Sequence, residues 1–159
     1  MSATGDAVDG FVEVSGYRLA ADRSYDPASH LWVQILEPGR VRVGVDPLGV
    51  ETSGTIAQLA FASLGDLVAR NEPFGSLEAA KFVGPLLSPL SGTVTAVNDA
   101  VVADPRLVEG DPFGAGWLVE LEPSDPGGEL PLLVAGEERI RDWFAAELED
   151  YKLKGLIAE

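Results

Sequence analysis

Runs of alternating apolar and polar residues recur along most of the chain, and this period of two predicts β-strands. The clearest pair of runs is 31–36 and 41–45. The four residues between them, Glu-Pro-Gly-Arg, place proline and glycine at the central positions of a type II turn. The pair therefore predicts a β-hairpin. Shorter runs predict further strands at 12–19, 55–61, 93–97 and 117–121.

The strongest helical pattern lies near the C-terminus. Apolar residues recur there at the spacing of one helical face, namely Ile140, Trp143, Phe144, Leu148 and Tyr151. They predict a helix over 137–153. We expect Trp143 and Phe144 to pack on the β-sheets, and we expect the polar face, with Glu147, Glu149 and Asp150, to point to solvent.

Capping signals predict two short helices within the strand-rich part. Asp46 precedes a proline that suits the first helical position, and Asn98 precedes a short apolar stretch. The whole pattern predicts a small, mostly-β domain over 11–135, followed by a C-terminal helix and tail over 136–159. The small, acidic residues 1–10 are predicted to form a disordered leader.

Charge and composition exclude several classes of function. The 159 residues include 11 Lys and Arg against 26 Asp and Glu, which gives a net charge of −15. Such a surface suits neither nucleic acid nor anionic lipid, because both require clustered basic residues. The chain has no cysteine and a single histidine, His30, so a thiol nucleophile and a His- or Cys-ligated metal are excluded. No catalytic or phosphate-binding motif is present.

Targeting signals are also missing from the sequence. The N-terminal residues show neither the basic nor the apolar region of a signal peptide. No stretch approaches the ~20 apolar residues of a membrane span. We therefore expect a cytoplasmic protein that does not bind membranes.

Lysine is scarce, with Lys81, Lys152 and Lys154 as the three examples. The last two fall at the end of the predicted C-terminal helix, where cations are favourable. Lys81 interrupts an apolar run between turn-forming residues, which predicts the tip of a hairpin. On this local string alone, an ordinary surface lysine is the leading interpretation.

Separated motifs over 25–121 keep one register. They are Ser-His-Leu-Trp-Val at 29–33, Glu-Ala-Ala-Lys at 78–81, and glycine-containing strings at 88–92 and 111–117. Several motifs in one register are far more specific than any single one. Together they resemble the H protein of the glycine cleavage system, a lipoyl-carrier family. Residues 29–33 are similar to the H-E-W-V motif near the start of the family pattern, and residues 78–81 are similar to its E-S-V-K attachment motif.

The resemblance implies a fold, a cofactor and partners. The fold would be a barrel-sandwich hybrid of two small sheets with added short helices. Lys81 would carry covalently bound lipoate as a lipoyl-lysine swinging arm, and Glu78 would belong to the motif that lipoylating enzymes recognise. The chain would be a carrier rather than an enzyme, and its partners would be the oxidoreductases and transferases of its system.

Three departures from the family pattern bear on which enzyme system the carrier would serve. Glycine-cleaving members hold the aminomethyl-loaded arm in a polar cleft, and the corresponding positions here are Leu31, Leu48 and Pro85. These three residues predict a cleft too apolar for a cation. The string Lys-Phe-Val-Gly-Pro at 81–85 resembles instead the H-like lipoate-binding proteins of heterodisulfide-reductase-like sulfur oxidation.

The sequence therefore favours slightly a carrier that serves a sulfur-oxidation system with a heterodisulfide-reductase-like complex. A genuine H protein that works with the glycine cleavage proteins is the close alternative. An unlipoylated relative that acts as a binding or scaffold module is a further alternative. A biotin carrier is disfavoured, because its lysine usually lies between methionines and the one methionine here is Met1.

Overall fold

A computed structural model of the chain describes residues 10–158, and the predicted leader lies almost wholly outside them. The strands of the described part are β1 (Phe11–Val14), β2 (Tyr17–Ala20), β3 (Ser24–Asp26), β4 (Leu31–Glu37), β5 (Arg40–Val45), β6 (Ile56–Phe61), β7 (Leu67–Val68), β8 (Pro73–Ala79), β9 (Val83–Leu87), β10 (Gly92–Val97) and β11 (Val119–Pro123). The helices are α1 (Pro47–Ser53), α2 (Asp99–Ala103), α3 (Arg106–Gly110), α4 (Pro126–Glu129) and α5 (Glu137–Leu153), with a 3-10 turn at Leu130–Leu132. The predicted mostly-β architecture with short helices and a C-terminal helix is confirmed.

The strands form two packed sheets and a separate hairpin. One sheet has six strands in the order β3-β4-β5-β11-β10-β7, and the other has three in the order β6-β8-β9. All the pairings are antiparallel. The hairpin of β1 and β2 is an addition to the two expected sheets. It packs beside α5, because its inward side chains belong to the same apolar cluster as that helix.

Two apolar clusters make up the core. The first fills the space between the two sheets and includes Val43, Phe74 and Leu121, each at most 1% exposed. The second lies beneath α5 and is built around Trp32 and Tyr25, both fully buried. Because burial of apolar surface is the main stabilising contribution, these clusters hold the sheets, the hairpin and α5 in one arrangement.

The C-terminal helix has the predicted extent, and one of its faces is buried. Ile140, Phe144 and Leu148 are at most 2% exposed, and Trp143 stacks on the His30 ring with centroids 5.6 Å apart. The expectation that Glu147 points to solvent is wrong. Its Oε1 lies 2.8 Å from His30 Nε2, because the buried histidine presents a ring nitrogen to this side of the helix.

Two expectations concern the chain as a whole. Within residues 10–158, no helix is long and apolar enough to cross a lipid bilayer.

The division of the chain into a carrier domain over 11–135 and a helix and tail over 136–159 stays a prediction. Its boundary falls between a bridge that pairs Val134 with Tyr25 and the first residue of α5.

Candidate functional site

Lys81 lies at the tip of the hairpin formed by β8 and β9. Glu78 pairs with Val83 in the ladder, and the Ala79 amide donates to the Phe82 carbonyl at 2.8 Å. Ala80 and Lys81 are therefore the two turn residues, and both are exposed. A two-residue turn fixes the direction in which its side chains leave the sheet.

Both turn residues are also tied to the end of α1. The Ala80 amide donates to the Thr55 carbonyl, and the Lys81 amide donates to the Ser53 carbonyl, each at 2.9 Å. Gly54 lies between the two acceptors, with φ +73° and ψ −159°. We call residues 53–55 the clasp. A hairpin tip that would otherwise be free is thus held by a second element.

A buried charged network anchors the other end of α1. Asp46 caps the helix by accepting a hydrogen bond from the Gly49 amide at 2.9 Å, and its Oδ2 lies 2.7 Å from His30 Nδ1. Burial alone would lower the pKa of His30, but the hydrogen bond and charge of Asp46, followed by those of Glu147, raise it. The His30 ring thereby links β4, α1 and α5.

The surface around the tip is mixed in character. Glu78 is exposed on β8 and lines an open groove of about 620 Å³ between the three-stranded sheet and α2. Its walls are mostly small or aliphatic side chains, among them Ala60, Val83 and Val102. Phe82 is 43% exposed. Lys81 therefore projects from a hairpin whose surface is partly apolar and also carries the Glu78 carboxylate.

The three residues predicted to line the arm's cleft differ in their exposure and in the part of the core that they join. Leu31 is 2% exposed and fills the core between the sheets, and Leu48 is fully buried beneath α5. Only Pro85, on β9, is exposed. The expectation of an apolar cleft lined by these residues is wrong, because two of the side chains are used for packing and belong to different clusters.

The arrangement suits a carrier. Lys154 is engaged by Asp150 at 2.8 Å, whereas in the described part of the chain no carboxylate pairs with Lys81. An exposed primary amine on a rigid tip can form an amide with a carboxylic acid.

The clasp and the histidine network were not predicted from the sequence, although the capping signal at Asp46 marked the start of α1.

Comparison with known proteins identifies the family. The model of the glycine cleavage H-protein family matches residues 23–142. A glycine cleavage system H protein of Gloeobacter violaceus is 40% identical over 110 residues, which cover 69% of this chain and 84% of that protein. The glycine cleavage system H protein 2 of Aquifex aeolicus is 33% identical over 129 residues, covering 81% and 80%.

The fold agrees with a solved structure from the same family. The crystal structure of a glycine cleavage system H protein from Mycobacterium marinum superposes with a TM-score of 0.67 at 34% identity, covering 76% of this chain and 95% of that chain. This match confirms the barrel-sandwich hybrid fold. The interpretation as a sulfur-oxidation protein is not supported, since these relatives carry the glycine cleavage name. The chain therefore belongs to the glycine cleavage H-protein family, whose members are lipoyl carriers and not enzymes.

Proposed function

We propose that this chain carries the aminomethyl group in glycine cleavage, on lipoate attached to Lys81. The observation that carries the proposal is the exposed Lys81 on a clasped two-residue turn, three residues after Glu78. Lipoylating enzymes would attach the cofactor, and the oxidoreductases and transferases of the glycine cleavage system would be the partners. The carrier would be built from residues 11–135, with 136–159 as its supporting helix and tail.

The residues at the tip fit this cofactor. Amide formation joins the Lys81 Nζ to the lipoate carboxyl carbon with overall loss of water, and it removes the ammonium charge. When bound, the dithiolane supplies a disulfide that accepts two electrons and holds the transferred group. The chain's own part is to hold the arm's attachment point still. It has no cysteine to exchange with the ring.

Lipoylation is tested by producing the chain together with a lipoylating enzyme and lipoate, followed by intact and peptide mass spectrometry. We expect a single lipoyl group on Lys81. Lys81→Arg should abolish it and change the free energy of unfolding by no more than about 0.5 kcal/mol, as for other exposed sites. Lys152→Arg is the matched control and should be modified like the wild type. An unmodified Lys81 would favour the scaffold alternative and contradict the proposal.

The partner system is tested separately with the lipoylated protein. We expect it to support exchange of glycine with bicarbonate by glycine decarboxylase, and we expect Lys81→Arg to give none. A fully lipoylated protein without exchange activity would refute the role in glycine cleavage. That result would leave the carrier assignment intact and direct the search to another oxidoreductase.

A further inference from the structure

The clasp restrains the backbone of the turn that bears Lys81. Without it, the turn would be closed only by the hydrogen bond from Ala79 to Phe82. The clasp adds two more, and they engage the amides of both turn residues. Fixing one residue's backbone costs about 1–2 kcal/mol of conformational entropy. In this protein the turn residues have already lost that conformational entropy before an enzyme binds.

Gly54 also shapes the path of the lysine side chain. A Cβ built at this position would lie 3.2 Å from Lys81 Cγ, 3.5 Å from Lys81 Cδ and 3.4 Å from Ala80 Cβ. The lysine stem therefore runs along the bare backbone of residue 54. The backbone angles there are in a region that is essentially restricted to glycine. A side chain at position 54 would meet both a strained backbone and the lysine stem.

We propose that the clasp is a positioning element for lipoylation, with Gly54 as its key residue. The two acceptors hold the turn, and the missing side chain of Gly54 lets the lysine stem leave in one direction. A modifying enzyme then meets an amine on an ordered attachment point, which reduces the entropy lost on binding. Gly54 contacts the stem and not the reacting Nζ, so it is a positioning residue. The inference rests on the proposed lipoylation of Lys81.

The test compares Gly54→Ala with Gly39→Ala. Gly39, in the turn between β4 and β5, also has a positive φ of 84°, but a Cβ there would meet nothing within 4 Å. Both variants place alanine at a positive φ, and only Gly54→Ala crowds the lysine. We expect kcat/KM for lipoylation to fall at least about tenfold in Gly54→Ala, because a misplacement of about 1 Å can cost a hundredfold. We expect Gly39→Ala to match the wild type.

Amide hydrogen exchange on the unmodified proteins gives a second measurement that does not depend on an enzyme. In the wild type, the amides of Ala80 and Lys81 should exchange more slowly than that of Phe82, which has no backbone acceptor in the described part of the chain. Gly54→Ala should speed exchange at Ala80 and Lys81, and Gly39→Ala should leave it unchanged.

The outcomes separate the inference from the function on which it rests. If the wild type is lipoylated and Gly54→Ala is modified as fast as Gly39→Ala, the positioning role is refuted. Fast exchange at Ala80 and Lys81 in the wild type would refute the clasp itself, even if Gly54→Ala failed to fold. A wild type that is never modified would refute the proposed function, and the positioning role with it.

Discussion

His30 is a single residue that links elements far apart in the sequence. Its ring lies between Asp46 and Glu147, stacks on Trp143 and makes an edge-on contact with Tyr151. Because its pKa is raised in the folded protein, its ionic stabilisation is complete below the unfolded value of about 6.5. That stabilisation is lost as the pH rises through the higher folded pKa. Among these neighbours, the ionisable groups that face the ring are Asp46, Glu147 and Tyr151.

We expect Glu147→Gln to lower the pKa of His30, because the amide keeps a polar partner but removes a negative charge. The chain has one histidine, so a single set of imidazole NMR signals reports the titration. The pH at which the ionic stabilisation is lost should fall in parallel, as measured by urea unfolding between pH 6 and 9. Glu149→Gln, on the exposed face of α5, should leave the His30 pKa and the pH dependence of stability unchanged. If the His30 titration had the same midpoint in the two variants, the contact between His30 and Glu147 would be contradicted.

At the scale of elements, α5 covers the second apolar cluster and closes that side of the molecule. Phe144 is fully buried, and its ring meets Tyr17 of β2 at 5.5 Å between centroids. We expect Phe144→Ala to lower the free energy of unfolding by about 3–5 kcal/mol, the usual cost of such a cavity. Urea unfolding measures this. Asp142→Ala, at an exposed position of the same helix, should change the free energy of unfolding by no more than about 0.5 kcal/mol. If both variants lost the same free energy of unfolding, α5 would be only an appendage.

Elements with a strong local pattern could be predicted from the sequence. The β4–β5 hairpin follows from alternation and a Pro-Gly turn, and α5 follows from its apolar face. The tip that bears Lys81 was also visible, since its turn residues are neighbours in the chain. In each case, the signal and the structure it specifies lie within about twenty residues.

Features that join distant segments could not be predicted in this way. Glu147 lies on the polar side of the helical pattern, and its partner is 117 residues away. An apolar residue such as Leu48 can line a cleft or fill a core, and only the packing of α5 decides which. The clasp likewise requires the end of α1 to meet a turn that follows three strands later.

At the scale of the whole molecule, the basic residues are largely committed to internal pairs. Arg42 binds Glu120 with two hydrogen bonds, and Arg70 lies 3.5 Å from Asp26. Acidic residues are also in excess, and the whole chain has a net charge of −15. A field of one sign speeds encounters with a partner of opposite charge more than it strengthens the complex.

The outer strand of the smaller sheet, β9, combines features that normally promote self-association. It lies at an edge of its sheet, and Val83 and Leu87 are 75% and 36% exposed. An exposed apolar edge is a template on which another chain can add a strand. Pro85 in the middle of β9 has no N–H to donate, so it interrupts that template.

Replacing Pro85 should therefore promote self-association through the edge of β9. We expect Pro85→Thr to form dimers or larger aggregates whose fraction rises with concentration in sedimentation velocity, and we expect the wild type to sediment as one species. Ser76→Thr, on the central strand β8, is the control and should behave like the wild type. If Pro85→Thr stayed monomeric, the proline would have no protective role.

A hairpin tip that carried lipoate would have to stay accessible to several enzymes, so the strand beside it could not be buried. Proline at position 85 would offer a different safeguard, since it leaves the surface accessible and still prevents strand addition. Colloidal stability at high concentration would then depend on one missing amide hydrogen four residues after Lys81.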